Sequence, residues 1–190
     1  SLQPHQGKIQ SIVESANNTF YTAGDDGFVV KWLPDGTGEH FQISDLEIKL
    51  IAVSPNGTDI AVYETDGFSI HRVSEWNWKT LTRKNAKRFT DSIVSLEYSA
   101  KGTYLMAGTS SVDGMLFLDP KNKLTPLSVV KDFTGTVTVA KTGKTEKTVL
   151  MYSPQGTLTY YNLADGSKVQ EFDCETLLEQ ATLLYNNVYL

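Results

Sequence analysis

Along the chain, short apolar runs of strand length alternate with clusters of Gly, Asn, Asp and Pro. Four stretches share one shape: a strand-like run, a small turn, and a second strand-like run. They are TFYTAGDDGFVVKW (Thr19 to Trp32), DIAVYETDGFSIHRV (Asp59 to Val73), YLMAGTSSVDGMLFLDP (Tyr104 to Pro120) and KTVLMYSPQGTLTYYNL (Lys147 to Leu163). Their turn glycines, Gly27, Gly67, Gly114 and Gly156, are separated by 40, 47 and 42 residues. Val, Ile, Thr, Tyr and Phe dominate the runs, which are too short for stable helices, so the pattern predicts strands. The segment Cys174 to Leu184 has helical propensity, but the repeat places it at the start of another strand unit.

A second marker keeps the same drifting period. A turn at Ser54-Pro55-Asn56-Gly57 precedes the second copy, Ser99-Ala100-Lys101-Gly102 the third, and Lys141-Thr142-Gly143 the fourth. Each repeat therefore reads as four strands. The first is short and apolar (Ile9 to Val13, Ile48 to Val53, Ile93 to Tyr98, Val137 to Ala140). The fourth is weaker (His40 to Ile43, Trp76 to Leu81, Leu124 to Val130, Lys168 to Phe172). Periods of about 40–45 residues with four strands each are those of propeller blades. The expected fold is all-β: a β-propeller of four-stranded antiparallel blades over 5–44, 45–88, 89–132 and 133–174. The segment 175–190 would start a fifth blade. LEQATLLYNNVYL (Leu178 to Leu190) echoes IQSIVESANNTFY (Ile9 to Tyr21), with the Asn-Asn pairs 169 residues apart. The ring is thus expected to be incomplete in this chain, with further blades supplied by more of the same chain or by another one.

The first repeat resembles the WD-repeat β-propeller family. His5 stands four residues before Ile9, and Asp26-Gly27 leads, six residues after the Asp, to Trp32. That resemblance implies a structural tetrad of His5, Thr22, Asp26 and Trp32, hydrogen-bonded within one blade and without catalytic activity. The other repeats depart from the pattern. Arg72, Asp119 and Tyr161 occupy the Trp position, Gln155 replaces one Asp, and no second His opens a repeat.

Composition narrows the functional classes. Seventeen basic and 22 acidic residues give a net charge of -5, which speaks against a generalised nucleic-acid-binding chain. The one cysteine, Cys174, excludes an internal disulfide framework and a cysteine-based zinc cluster. With no apolar run of membrane-span length and no signal-like start, the expectation is a cytoplasmic chain without membrane contact. His5, His40 and His71 fall in three different repeats without metal-ligand spacing, so neither metal nor cofactor is expected. Thr142-Gly143-Lys144-Thr145 lacks the upstream glycine of a phosphate loop, and Ser128 with Lys131 lacks the helix that an acyl-transfer pair needs. Asp25-Asp26 reads as ordinary hairpin chemistry rather than a calcium site.

Two candidate binding features remain. Arg83, Lys84, Lys87 and Arg88 place four positive charges in six residues, expected in the loop after the fourth strand of the second blade. Trp76 and Trp78, two apart on an expected strand, would share one face and serve either as packing or as anchors. The function expected is a non-enzymatic scaffold binding another protein, with an acidic partner segment for the basic cluster. Two alternatives stand beside it. One is a hydrolase- or lactonase-like propeller enzyme with a channel site partly in further blades. The other is a subunit of a nucleic-acid-associated complex using the basic loop.

Overall fold

The structure, a computed structural model, describes residues 5–16, 18–75, 77–86, 93–110, 114–130, 133, 137, 139–173, 182–184 and 187–189. Its elements are strands throughout the described residues. Sheet 1 comprises β1 (Ile9–Glu14), β2 (Phe20–Gly24), β3 (Phe28–Trp32) and β4 (Gly38–Gln42). Sheet 2 comprises β5 (Ile48–Val53), β6 (Asp59–Glu64), β7 (Gly67–Arg72) and β8 (Lys79–Asn85). Sheet 3 comprises β9 (Ile93–Tyr98), β10 (Leu105–Thr109), β11 (Met115–Asp119) and β12 (Thr125–Leu127). Sheet 4 comprises β13 (Val139–Thr142), β14 (Thr148–Ser153), β15 (Thr157–Asn162) and β16 (Lys168–Asp173). β17 (Thr182–Leu184) pairs with β18 (Asn187–Tyr189) in a two-stranded antiparallel ladder. In each of the four large sheets, hydrogen-bonded neighbours follow chain order and every pairing is antiparallel, giving four successive meanders.

The repeats set these meanders through their turns. Gly27 adopts φ 77°, a left-handed conformation that glycine reaches without strain. The second copy is closed differently. Glu64 pairs directly with Gly67, so Thr65-Asp66 form a two-residue loop and Gly67 already belongs to the strand. A Cβ at Gly67 would lie 2.9 Å from the Lys84 carbonyl oxygen, so close strand approach accounts for that glycine.

Two compact units divide the chain, residues 1–88 and 89–190. In the first, sheets 1 and 2 share a core of Tyr21, Ala23, Val29, Ile48, Ile51, Ile60, Val62 and Trp78. Alternation explains the membership: Tyr21 and Ala23 lie two apart on β2, and Ile60 and Val62 two apart on β6, so each pair faces one way. In the second unit, Met106, Phe117, Val149, Met151 and Tyr161 form the corresponding core of sheets 3 and 4. There a polar latch also joins the two sheets. The Glu146 carboxylate accepts from Lys101 N (2.6 Å) and Thr103 Oγ1 (2.5 Å), and Thr142 Oγ1 accepts from Ala100 N (2.8 Å). Desolvation pushes the Glu146 carboxyl upward. Hydrogen bonds from Ser99, Thr103 and the backbone of the 101–103 turn outweigh that and hold it below the usual glutamate range.

Some boundaries differ from the sequence expectation. β8 begins at Lys79 rather than Trp76 and runs on to Asn85. Asn77 and Trp78 precede it with φ 58° and 47°, which no β-strand residue adopts. β12 is confined to Thr125–Leu127, because left-handed Lys123 and Leu124 (φ 53° and 54°) close the turn in front of it. Asp113, Lys131, Cys174 and Asn186 lie outside the described residues.

Candidate functional site

At one end of sheet 1, four side chains hydrogen-bond in series. His5 Nδ1 lies 3.1 Å from both carboxylate oxygens of Asp26. His5 Nε2 is 2.7 Å from Thr22 Oγ1, and Trp32 Nε1 donates to the same oxygen at 2.9 Å. One assignment of hydrogens satisfies every group: Nδ1–H donates to Asp26, while the Thr22 hydroxyl donates to Nε2 and accepts from the indole. The register makes this possible. Thr22 on β2 stands opposite Val30 on β3, so Trp32, two residues on, shares its face. Asp26 also accepts from Phe28 N (3.1 Å) and Gln6 N (3.0 Å). Burial pushes its carboxyl upward, but the bonds from Phe28, His5 and Gln6 hold it below the ordinary aspartate range. Its neighbour Asp25 instead accepts from Gln10 Nε2 at 2.8 Å, so the two turn acids serve separate partners.

The same turn fixes the loop that leads into sheet 2. Gly27 O accepts from Ile43 N (3.0 Å) and Ser44 N (3.1 Å). A Cβ at Gly27 would lie 2.0 Å from Ser44 O, so only glycine permits this approach. Ser44 Oγ then accepts from Leu46 N (2.9 Å) and donates to Glu64 Oε2 on β6 (2.8 Å). Beside this chain of bonds opens a cavity of about 460 Å³ between the turn ends of sheets 1 and 2. Gln42, Ser44, Asp45, Glu64, Asp66 and Arg83 supply its polar lining, and Ile43 and Leu46 complete it.

A family model described as an N-terminal beta-propeller domain (TP_0598_N) matches residues 3–190. The chain belongs to this β-propeller family. The four-stranded antiparallel sheets are accordingly its blades. A protein of Treponema pallidum (strain Nichols), described as "Uncharacterized protein", is 37% identical over 185 residues. That match covers 97% of this chain and 30% of the relative, so the chain spans less than a third of that protein's length.

Within this propeller domain the remaining candidate residues fall as follows. Arg83 and Lys84 lie inside β8 rather than in a loop, so they point to opposite faces of blade 2. Arg83 pairs in register with Ser69 and turns toward the cavity, whereas Lys84 pairs with Phe68. Lys87 and Arg88 lie outside the described residues, as does Trp76. The strand therefore splits the first half of the basic cluster and sets Arg83 beside Asp45, Glu64 and Asp66. Trp78 is 2% exposed, stacked on Phe41 (centroids 4.0 Å apart) and edge-on to Tyr21 (5.7 Å). It packs the interface of blades 1 and 2 and presents no surface to a partner. The Thr142 to Thr145 segment forms the hairpin turn between β13 and β14, with Gly143 N donating to Thr148 O.

His71, which the sequence shows only as a histidine without metal-ligand spacing, has a more specific chemistry. It is 1% exposed, with Nε2 2.8 Å from Ser69 Oγ and Nδ1 3.2 Å from Thr80 Oγ1. Burial, reinforced by the Arg83 charge and only partly opposed by a hydrogen bond to the Trp78 backbone, pushes its pKa down to about 4. The one available signal was its neighbour pattern, a Ser two residues before it on the same strand face. Glu64, the buried acid of the cavity, had no signal, because it reads as an ordinary strand-terminal residue.

Proposed function

We propose that this domain is a non-enzymatic protein-binding module of WD-repeat type within a longer chain. The observation that carries the reading is the charged cavity at the turn ends of blades 1 and 2. Arg83 and the Asp66 carboxylate line it, and neither side chain makes a hydrogen bond or ion pair among the described residues. Charged groups left unpaired at a concavity are free to meet a partner's groups, and the loop that shapes the cavity is held by hydrogen bonds at Gly27 and Ser44. The His5–Thr22–Asp26–Trp32 series supports the WD-type assignment and a structural role for those residues. The Treponema relative, of which this region covers 30%, supports a module that works beside other segments.

The test is affinity capture with the full chain as bait, followed by mass spectrometry and reconstitution of any recovered protein from purified components. The comparison is Arg83→Glu with Asp66→Lys, a pair of reversals at the cavity. A specific protein bound by the wild type and lost in the variant supports the module and locates its surface. Reconstituted binding that ignores the reversals removes the cavity from the function. Absence of any reconstituted complex refutes the scaffold reading.

A further inference from the structure

We infer that the face of blade 1 turned away from blade 2 is a docking surface for a further blade of the same polypeptide, beyond the four that residues 9–173 form. This stands apart from the protein-binding reading above. Matching positions in the two blades carry it. Ile12 is opposite Thr22, and Phe20, two residues before Thr22, pairs with Trp32. In blade 2, Ile51 is opposite Val62, and Ile60, two residues before Val62, pairs with His71. Ile9 opposite Gly24 likewise matches Ile48 opposite Glu64, and in both strands the register shifts just after that residue. The blade 2 set, Ile48, Ile51 and Ile60, packs against blade 1 and is 0%, 2% and 0% exposed. The blade 1 set, Ile9, Ile12 and Phe20, is 48%, 68% and 39% exposed. Both repeats keep apolar residues at these positions, but only in blade 2 are they covered.

The pleat sets these residues on one side. Phe20 and Thr22 point one way along β2, while Tyr21 and Ala23 point the other, into the core shared with blade 2. A sheet face that meets water is polar, and the end repeat of a stacked array carries a polar outer face. Blade 1 instead presents Ile9, Ile12, Phe20 and the half-buried Trp32 on its outer side. The interface of blades 1 and 2 shows what fits such a face. There Val13, Tyr21, Ala23, Val29 and Phe41 meet it, and they form the opposite face of a neighbouring four-stranded sheet. The occupant is therefore a blade with a comparable aromatic and small aliphatic face. A two-fold dimer through this surface would set like against like, whereas the interface of blades 1 and 2 joins unlike faces. The same polypeptide supplies the blade, because the Treponema relative continues well beyond the matched region, which is 30% of it.

The experiment uses the purified full-length protein, with Cys174→Ser as the background and Ile12→Cys as the probe. Maleimide labelling at position 12 is followed by peptide mass spectrometry, in native buffer and in urea, at high and at low protein concentration. The expected result is native labelling about tenfold or more slower than in urea, at both concentrations. Hydroxyl-radical footprinting of the unsubstituted protein reads Phe20 in the same way, so the test survives a variant that fails to fold. A benzophenone maleimide at position 12 then identifies the neighbour, and the expected cross-link is intramolecular and maps outside residues 9–173. Labelling or Phe20 oxidation as fast in native buffer as in urea overturns the inference, because the face is then open to water. Protection lost on dilution, or a cross-link between two chains, overturns it in favour of a second copy. A cross-link to residues 9–173 of the same chain overturns it too, since no further blade is then needed. Each of these failures leaves the protein-binding reading standing.

Discussion

His71 makes the stability of blades 1 and 2 sensitive to mild acid. In the native protein the ring is buried against Ser69 and Thr80, and desolvation with the nearby Arg83 charge lowers its pKa to about 4. In the unfolded chain the imidazole titrates near its ordinary value of about 6.5. Above that value both states are neutral and His71 contributes no pH dependence. As the pH falls from about 6.5 toward about 4, the unfolded chain takes up a proton that the native chain refuses, so stability is lost at up to about 1.4 kcal/mol per unit. Between about pH 7.5 and pH 5 the loss attributable to His71 is about 2 kcal/mol, a sizeable share of an ordinary domain's total. The perturbation is His71→Gln, whose amide reaches Ser69 without a titrating group. Urea unfolding at fixed ionic strength, followed by circular dichroism at four pH values in that window, gives the stability of each protein. The variant starts less stable, but its curve flattens by about 2 kcal/mol relative to wild type across the window. Asp26 and Glu146, whose carboxyls are lowered in the native state, lose their contributions as the pH falls further, equally in both proteins. Arg83→Gln removes one cause of the depression and should shift the His71 titration upward by NMR. Parallel pH profiles for wild type and His71→Gln, or an imidazole titrating near its ordinary value in the native protein, would refute the reasoning.

Four further outcomes can be checked by the same unfolding measurements. Trp32→Phe loses the bond to Thr22 and should cost about 1 kcal/mol, whereas Thr22→Val leaves both His5 Nε2 and the indole without their partner and should cost about 2–3 kcal/mol, with coupling between the two substitutions. Gly27→Ala forces a left-handed residue against Ser44 O and should cost about 3 kcal/mol or more, with faster amide exchange across residues 43–46. Trp78→Ala empties the site between Phe41 and Tyr21 and should cost about 3–5 kcal/mol; a value under about 1 kcal/mol would show that the ring does not pack there. Glu146→Gln weakens the latch onto the 101–103 turn and should cost about 1 kcal/mol at neutral pH. Because the native Glu146 carboxyl is lowered, that difference should vanish as the pH falls through its native titration.

The order of strands and the placing of turns were legible in the sequence because they depend on local chemistry. Apolar runs of strand length, glycine at Gly27, Gly102 and Gly156 where φ is positive, and a recurring period define four meanders without reference to distant residues. The His5, Thr22, Asp26 and Trp32 group was legible for a related reason, since its spacing lies within a single blade whose hairpin register is short-range. Tertiary structure decided the rest. The left-handed backbone at Asn77 and Trp78 delays β8, which sends Trp78 into the core and draws Arg83 and Lys84 into the strand. Once they are in a strand, the pleat turns Arg83 and Lys84 to opposite faces and so separates the described half of the basic run. Glu64 gains its character only from Ser44 on the preceding loop, and His71 gains its low pKa only from the blade packed over it and from Arg83 on the next strand. Charge and polarity are properties of a residue, but solvation and field belong to its surroundings, and those surroundings are assembled from segments a blade apart.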